Sequence, residues 1–403
     1  MIYRAARKRA SCVEDMRLLA RRRLPRAVFD FIDGAAEDET TQRANRDDLS
    51  AVRLVPRYLR DVSQRDSSVT VLNRRSSMPL IVAPTGLASL AWPRADIAIA
   101  RAARDMGIPF VISTSSSVRL EEIVGAAEGG RIWFQVYLYK DRDLVRRLIH
   151  RADAAGIEAL VLTVDTPVLG WRRRDHRNRF TVPLKPTVSL AVDLIRCARW
   201  TWGIARHGVP RMQNFVAGGQ GASIESLAHL MTRNMDASVT WSDLAWVRDI
   251  WPGPIVLKGL LAPQDVATAA ALGLDAVWIS NHGGRQLDGA VSAVSALTEA
   301  VGVAGRMEVF MDGGVRSGTD VVKVVALGAR AAAIGRPVLY GVAMGGEQGA
   351  ARVLEMMRSE YDRCLALLGR STSDELDRTC LAGGGVARWA GRFSMNDSPA
   401  AAR

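Results

Sequence analysis

Ala276-Val277-Trp278-Ile279-Ser280-Asn281-His282-Gly283-Gly284-Arg285-Gln286-Leu287-Asp288 is the stretch from which the rest of the chain is best read. Its four leading apolar residues have the composition of a buried strand, and the two glycines stop that strand abruptly. His282 therefore stands where strand passes into loop. In parallel α/β proteins ligands bind at the carboxyl ends of the strands, so His282 and Arg285 are expected to point into a site. An imidazole able to take a proton near neutral pH lies three residues from a guanidinium able to fork onto a carboxylate. That pairing suits proton abstraction from an anionic substrate. Taken alone, it is equally a loop histidine beside a surface arginine.

Outward from this stretch a rhythm appears. From Met78 onward, short β-branched runs alternate with longer amphipathic stretches, the pattern of a parallel sheet with crossover helices. Eight strands are predicted, at 80–83, 110–113, 132–136, 159–164, 255–257, 276–280, 308–311 and 332–334. Eight βα units of this size match a closed (β/α)8 TIM barrel better than a doubly wound open sheet. The expected organisation is a single domain over 1–403: a helical cap and lead-in at 1–77, the barrel at 78–370, an insertion after the fourth strand at 171–240, and a tail at 371–403 that crosses to the rim or a neighbouring subunit.

Polar or glycine-rich chemistry follows nearly every strand, where a barrel builds its site. In order the strand ends read Pro84-Thr85-Gly86, Ser113-Thr114-Ser115, Gln135 with Tyr137, Thr163-Val164-Asp165, Lys258-Gly259, Ser280 to Arg285, Asp312-Gly313-Gly314 and Gly335-Arg336. Asp312-Gly313-Gly314-Val315-Arg316 with Gly318, then Gly335-Arg336 one unit later, is what a phosphate site after the seventh and eighth strands requires. Tight barrel turns are the plainer explanation of these glycines; their position, where barrels bind phosphate, favours the site. A phosphorylated cofactor or substrate is expected.

The 403 residues suffice for one large barrel or two ordinary domains, and 48% apolar content with 35 glycines reads as globular and rich in turns. The net charge of +12 invites a polyanion, either nucleic acid or an acidic membrane, without choosing between them. Cys12, Cys197, Cys364 and Cys380 are scattered, and His150, His176, His207 and His229 lack ligand spacing, so no metal site and no disulfide framework are indicated. Residues 1–24 are arginine-rich without the apolar core of a secretory signal, Glu14 and Asp15 weigh against a transit peptide, and no uncharged run spans a bilayer. A cytoplasmic protein is the expectation.

Together these features resemble the FMN-dependent flavoproteins that oxidise L-2-hydroxy acids, from Leu24-Pro25 to Leu368, with Ser280 to Asp288 as the carrying motif. Within that family the likeness is greatest to the membrane-associated mandelate dehydrogenase branch, through Pro84-Thr85-Gly86-Leu87 with Trp92-Pro93, Arg199-Trp200 with Arg206-His207-Gly208, and Met235-Asp236-Ala237-Ser238. The resemblance implies FMN as cofactor and oxidation of an L-2-hydroxy acid to a 2-oxo acid. It makes His282 the base, with Asp165 orienting it and stabilising the imidazolium. Arg172 and Arg285 would hold the substrate carboxylate, Tyr137 would hydrogen-bond near the hydroxyl, and Lys258 would face the flavin N1–O2 edge, where positive charge favours reduction. Pro84, Thr85, Gly86, Ser113, Gln135, Thr163 and Ser280 would line the ring. Asp312, Gly313, Gly314, Arg316, Gly335 and Arg336 would hold the ribityl phosphate. Whether the α-hydrogen leaves as hydride or proton stays open; His282 ends protonated either way.

One residue departs from the family pattern. Phe31 stands where a tyrosine usually touches the substrate carboxylate, so one hydrogen bond to a charged group, roughly 1.5–3 kcal/mol, is missing. Ser115, where glycolate-specific members carry a bulky aromatic, and nearby Gly86 point to a wider pocket and favour mandelate over lactate. In the insertion, residues 171–212 hold ten Arg or Lys against two Asp, a local charge of +8. Leu190, Leu194, Ala198, Trp202 and Ala205 recur there at helical spacing opposite Asp193, Arg196, Arg199 and Arg206, which suits a helix lying in a membrane interface, with Trp200 and Trp202 at headgroup level. A helix packed on the barrel would show the same periodicity; the resemblance favours the membrane. It implies peripheral attachment through 185–215 to the inner face of the cell membrane, a quinone or other respiratory-chain acceptor, and a homo-oligomer, commonly a tetramer. Arg173 and Arg177, near Arg172, are read as solvated loop charges, with a second carboxylate clamp as the alternative for either. The alternatives are a soluble oxidase that passes electrons to oxygen, and a non-catalytic basic barrel that binds phosphate or polyanions; nucleic acid is not the expected partner.

Overall fold

The computed structural model describes residues 9–181, 188–215 and 234–383. A hairpin of β1 (Val69–Val71) and β2 (Arg74–Ser76) precedes eight parallel strands: β3 (Leu80–Val82), β4 (Phe110–Ile112), β5 (Ile132–Val136), β6 (Ala159–Thr163), β7 (Ile255–Leu260), β8 (Ala276–Ile279), β9 (Glu308–Met311) and β10 (Ala331–Ile334). The sheet closes where β10 pairs with β3, Ala332 opposite Leu80 and Ile334 opposite Val82, which makes it a barrel and excludes the open sheet. Strand β7 runs to Leu260, past the expected end at 257, because an irregularity between Lys258 and Leu260 carries its pairing with β8 further.

Alternation along each strand sorts the core into two bodies. Ile81, Val111, Trp133, Val161, Val256, Trp278, Phe310 and Ala333 pack together inside the barrel, while Leu80, Val82, Phe134, Val277, Ile279 and Met311 face the surrounding helices. The hairpin closes the amino end: Val69, Val71 and Leu72 join the inner cluster, Leu72 N–H donates to Glu308 at 3.0 Å, and Arg131 donates to the Val71 carbonyl at 2.7 Å. Only the carboxyl end is left for a site.

Two additions cover that end. The cap consists of helices Val13–Arg23, Arg26–Asp33 and Thr40–Ala51. The insertion between β6 and β7 contributes Arg173–Arg177, Val188–Arg196 and Ala198–His207, and its residues 182–187 and 216–233 lie outside the described residues. The single helix expected across the membrane-binding segment is instead two, broken at Cys197, which is buried with φ −101° and ψ 37°. Trp200 turns inward, its indole donating to the Leu90 carbonyl at 2.7 Å, and so does not reach an interface; Trp202 does stay outside, 62% exposed. Among the described residues no helix is long and apolar enough to cross a membrane. The described part of the tail, 371–383, does not go to the rim: it runs beside the lead-in, with Asp66 N–H bound to Ser371 and Val55 N–H to Cys380.

Candidate active site

The two residues expected from sequence to act as base and orienting acid, His282 and Asp165, lie side by side. His282 follows β8 in the left-handed region at φ +57°, continued by Gly283 and Gly284 at +65° and +75°. A Cβ on Gly284 would lie 2.7 Å from the Gln42 backbone nitrogen of the cap, so only glycine lets the two approach. The turn brings His282 Nδ1 to 2.9 Å from Asp165 Oδ1 at the end of β6. Burial alone would raise the Asp165 pKa, but the charges of His282 and Lys258 and hydrogen bonds from His282 and Thr166 outweigh it and bring it to about 2. The carboxylate is thus ionised and can only accept, so Nδ1 carries a hydrogen, and in the neutral imidazole the lone pair lies on Nε2. Gly259, at φ +110°, makes room for this: a Cβ there would meet Asp165 Cβ at 2.6 Å.

The substrate side gathers cations. Arg285 donates to the carbonyls of Phe31 and Gly34 at 2.8 and 2.7 Å through Nη1 alone, leaving Nη2 and Nε of its fork. Burial, then repulsion from Arg172 and Arg336, pushes its pKa well down. Among the described residues Arg172 Nε is buried without a partner, and the nearest carboxylate, Asp175, is 3.9 Å from Nη1. Two desolvated guanidiniums that lack full pairing favour an incoming anion. Burial and the Asp165 charge push the Tyr137 hydroxyl pKa up, so it is a donor at neutral pH. Phe31 stacks on Phe180 with centroids 4.6 Å apart, and the Arg285 guanidinium lies 5.3 Å over its ring.

One step above the apolar inner row, the inward positions turn polar. Ser113, Gln135, Thr163, Lys258, Ser280 and Asp312 each stand two residues beyond an inner-core residue of the same strand, as do Ala83 and Gly335. Ser280 Oγ is the hub: it accepts from Lys258 Nζ at 2.9 Å and His282 N–H at 3.0 Å, and donates to Asp312 at 2.7 Å. Ser113 Oγ is 3.4 Å from Gln135 Oε1, while Gln135 Nε2 and Thr163 Oγ1 are buried with no partner among the described residues. Pro84, Thr85 and Gly86 follow β3, with Gly86 against Ser115. At the far side Gly313 and Gly314 take φ +97° and +88° against Asn45 of the cap. Arg316 Nη1 bonds the Val315 carbonyl, and Gly335 precedes the helix Arg336–Gly345. Arg336 donates to Ile32, Gly283 and Gly34 carbonyls at 3.2, 2.9 and 2.8 Å, so it also ties cap to rim.

Residues 20–383 match the model of the FMN-dependent dehydrogenase family. The chain belongs to that family. It is 43% identical over 357 residues to (S)-mandelate dehydrogenase of Pseudomonas putida, covering 89% of this chain and 90% of that one. It is 41% identical over 375 residues to L-lactate dehydrogenase of Caulobacter sp. strain K31, covering 92% and 98%. The crystal structure of monotopic membrane (S)-mandelate dehydrogenase superposes with a TM-score of 0.90 at 42% identity, over 93% of this chain and 99% of that chain. Each relative is named for oxidation of a 2-hydroxy acid, the reaction class expected from the sequence, and FMN is the family's cofactor.

The inner row of this FMN-dependent dehydrogenase fits that cofactor on its own chemistry. The orphaned Gln135 amide and Thr163 hydroxyl need polar partners, which the carbonyl and N–H edge of a flat heterocycle supplies. Several structural residues of the site escaped the sequence reading. Asn45 and Asn281 exchange two hydrogen bonds of 2.8 Å, buried, and pin the cap helix to the signature loop. Thr166 donates to Asp165 at 2.9 Å, and Phe180 backs Phe31. Of the motif's last residues, Gln286 bonds the Asp165 carbonyl and Asp288 accepts from Thr41 N–H, so both shape the loop.

Proposed function

We propose that this FMN-dependent 2-hydroxy-acid dehydrogenase oxidises an L-2-hydroxy acid with a large side chain, mandelate in type, to the 2-oxo acid. The observation that carries the reading is the 2.9 Å contact from His282 to an ionised Asp165 beside two incompletely paired, buried arginines. Arg172 and the free edge of Arg285 hold the carboxylate, Tyr137 donates near the hydroxyl, and the Phe31–Phe180 wall with small Ser115 and Gly86 takes the side chain. His282 Nε2 takes one proton of the two-proton, two-electron oxidation, and Asp165 stabilises the imidazolium. Bound FMN supplies the two-electron acceptor. Pro84, Thr85, Gly86, Ser113, Gln135, Thr163 and Ser280 would line its ring, Lys258 would supply positive charge beside it, and Asp312, Gly313, Gly314, Arg316, Gly335 and Arg336 would hold its phosphate. Electrons then pass to a membrane quinone or another respiratory-chain acceptor, from an oligomer attached peripherally to the inner face of the membrane. The monotopic relative and the exposed Val192, Ile195 and Trp202 support attachment.

Anaerobic titration of the purified flavoprotein with (S)-mandelate and then L-lactate, followed in the visible flavin bands, tests this. Bleaching by (S)-mandelate at the lower concentration is expected. Bleaching by L-lactate alone overturns the aryl preference, and bleaching by neither overturns the substrate class.

A further inference from the structure

A cavity of about 740 Å³ lies away from the catalytic pair, where the cap meets the insertion. Its walls bring together arginines from three distant segments: Arg21 and Arg26 from the cap, Arg174 and Arg177 from the short helix after β6, and Arg196 from helix Val188–Arg196. The seam is fixed, since Arg26 N–H donates to Asp193 at 2.8 Å and Asn178 donates to Asp30 at 2.7 Å. Asp30 and Asp193 are the two carboxylates in the lining, and Arg174 is also paired from behind it by Asp33 at 3.1 Å and by Glu39, so the positive excess of the cavity rests on the other arginines.

The excess is not spread evenly. Asp30 is shared by Arg26 at 3.5 Å and Arg174 at 3.6 Å, and Asp193 is held by Arg196 at 3.0 Å. Arg21 and Arg177 have no carboxylate partner among the described residues. Like charges gathered in a concavity favour a polyvalent oxyanion, whose several acceptors suit arginine forks. The volume exceeds that of a bare inorganic ion several-fold. At the mouth, Val192 both lines the cavity and is 60% exposed, and Ile195, one turn along, is 80% exposed. An anionic group with an apolar continuation matches both features; a wholly soluble phosphate leaves Val192 and Ile195 unexplained.

We propose that this cavity binds the phosphate headgroup of an anionic phospholipid, with the Val192 and Ile195 face entering the bilayer beside it. The proposal rests on the membrane attachment proposed above and adds a defined headgroup site to it.

The test titrates the FMN-loaded full chain with dihexanoyl phosphatidylglycerol below its micellar concentration, with the phosphatidylcholine analogue and glycerol phosphate alongside. Saturable binding of one phosphatidylglycerol per chain is expected, lost in Arg21→Ala/Arg177→Ala, whose turnover in solution stays unchanged. Affinity of that variant for phosphatidylglycerol vesicles should fall roughly thirtyfold, about a factor of five per arginine. Glycerol phosphate binding as tightly as the lipid assigns the cavity to a soluble organophosphate and overturns the lipid. Vesicle binding undiminished in the variant overturns the cavity and leaves attachment standing, whereas a wild-type chain that ignores vesicles of either composition overturns attachment itself. Should the variant not fold, the wild-type titration decides alone.

Discussion

At the carboxyl ends of the strands Lys258 stands 3.8 Å from Asp165 and 3.5 Å from Asp312, all three buried, whereas between cap and insertion Arg26 and Arg196 are 70% and 56% exposed. A charge taken out of water must be paired and hydrogen-bonded, so each buried group of the rim is fixed by the others. An exposed arginine costs little, its ion pair is screened by salt and weak, and it can exchange its carboxylate for a ligand that arrives from outside. Chemistry is thus built from the first kind of charge and docking from the second, and substitutions in the two regions should differ by orders of magnitude.

The widest separation comes from His282→Gln. The amide still reaches Asp165 but cannot take a proton, so kcat should fall about 10²–10⁴-fold with flavin content intact. Loss of less than tenfold in stopped-flow reduction would move the base elsewhere. A buried acid with no charged partner comes next. Among the described residues Asp96 faces Ser89, Ser116, Ser117 and its own backbone and no cation, and burial pushes its pKa to about 6. The folded value lies above the unfolded one near 3.8, so its contribution is complete below about pH 4 and is lost as pH rises through 6. Two units correspond to about 3 kcal/mol. Asp96→Asn should therefore gain thermal stability relative to wild type between pH 5 and pH 8. Parallel melting curves for the two proteins across that range would place the proton elsewhere.

Gly259→Ala tests how tightly the buried set is fitted. The new Cβ meets Asp165 at 2.6 Å on a backbone at φ +110°, so about 1–3 kcal/mol of stability should go, with turnover reduced because Asp165 shifts. Full turnover with only a lower melting temperature would show that the His282–Asp165 contact tolerates displacement.

What was legible in advance follows the same division. The eight strands are apolar runs set by local alternation, and the polar residues two positions later share their face, so barrel and inner row could be read directly. Contacts between distant segments could not. Asn45 and Asn281 are 236 positions apart, and although Asn281 stands inside the signature nothing in its neighbours names Asn45 as its partner, while Arg336 reads as a phosphate ligand although its donors also reach the cap carbonyls. Helical periodicity from Leu190 to Ala205 persists through Cys197 because a kink does not alter residue spacing, so the break and the inward turn of Trp200 were invisible.

Phe31 lies where the two kinds of region meet, on a cap helix but under a buried arginine, and its substitution should have the smallest effect. Phe31→Tyr adds a hydroxyl beside the carboxylate site. A hydrogen bond to a charged group is worth roughly 1.5–3 kcal/mol, but part of that is offset if the ring must leave its stack on Phe180 at 4.6 Å or its place 5.3 Å under Arg285. About a tenfold lower KM for 2-hydroxy acids, with kcat little changed, is the expected balance. Binding gained equally in ground and transition states acts on KM alone, so a change confined to kcat would mean that the hydroxyl touches the reacting hydrogen rather than the carboxylate. An unchanged or higher KM would mean that Phe31 and Phe180 act as one apolar wall, shaped to the substrate side chain, in which a hydroxyl finds no partner.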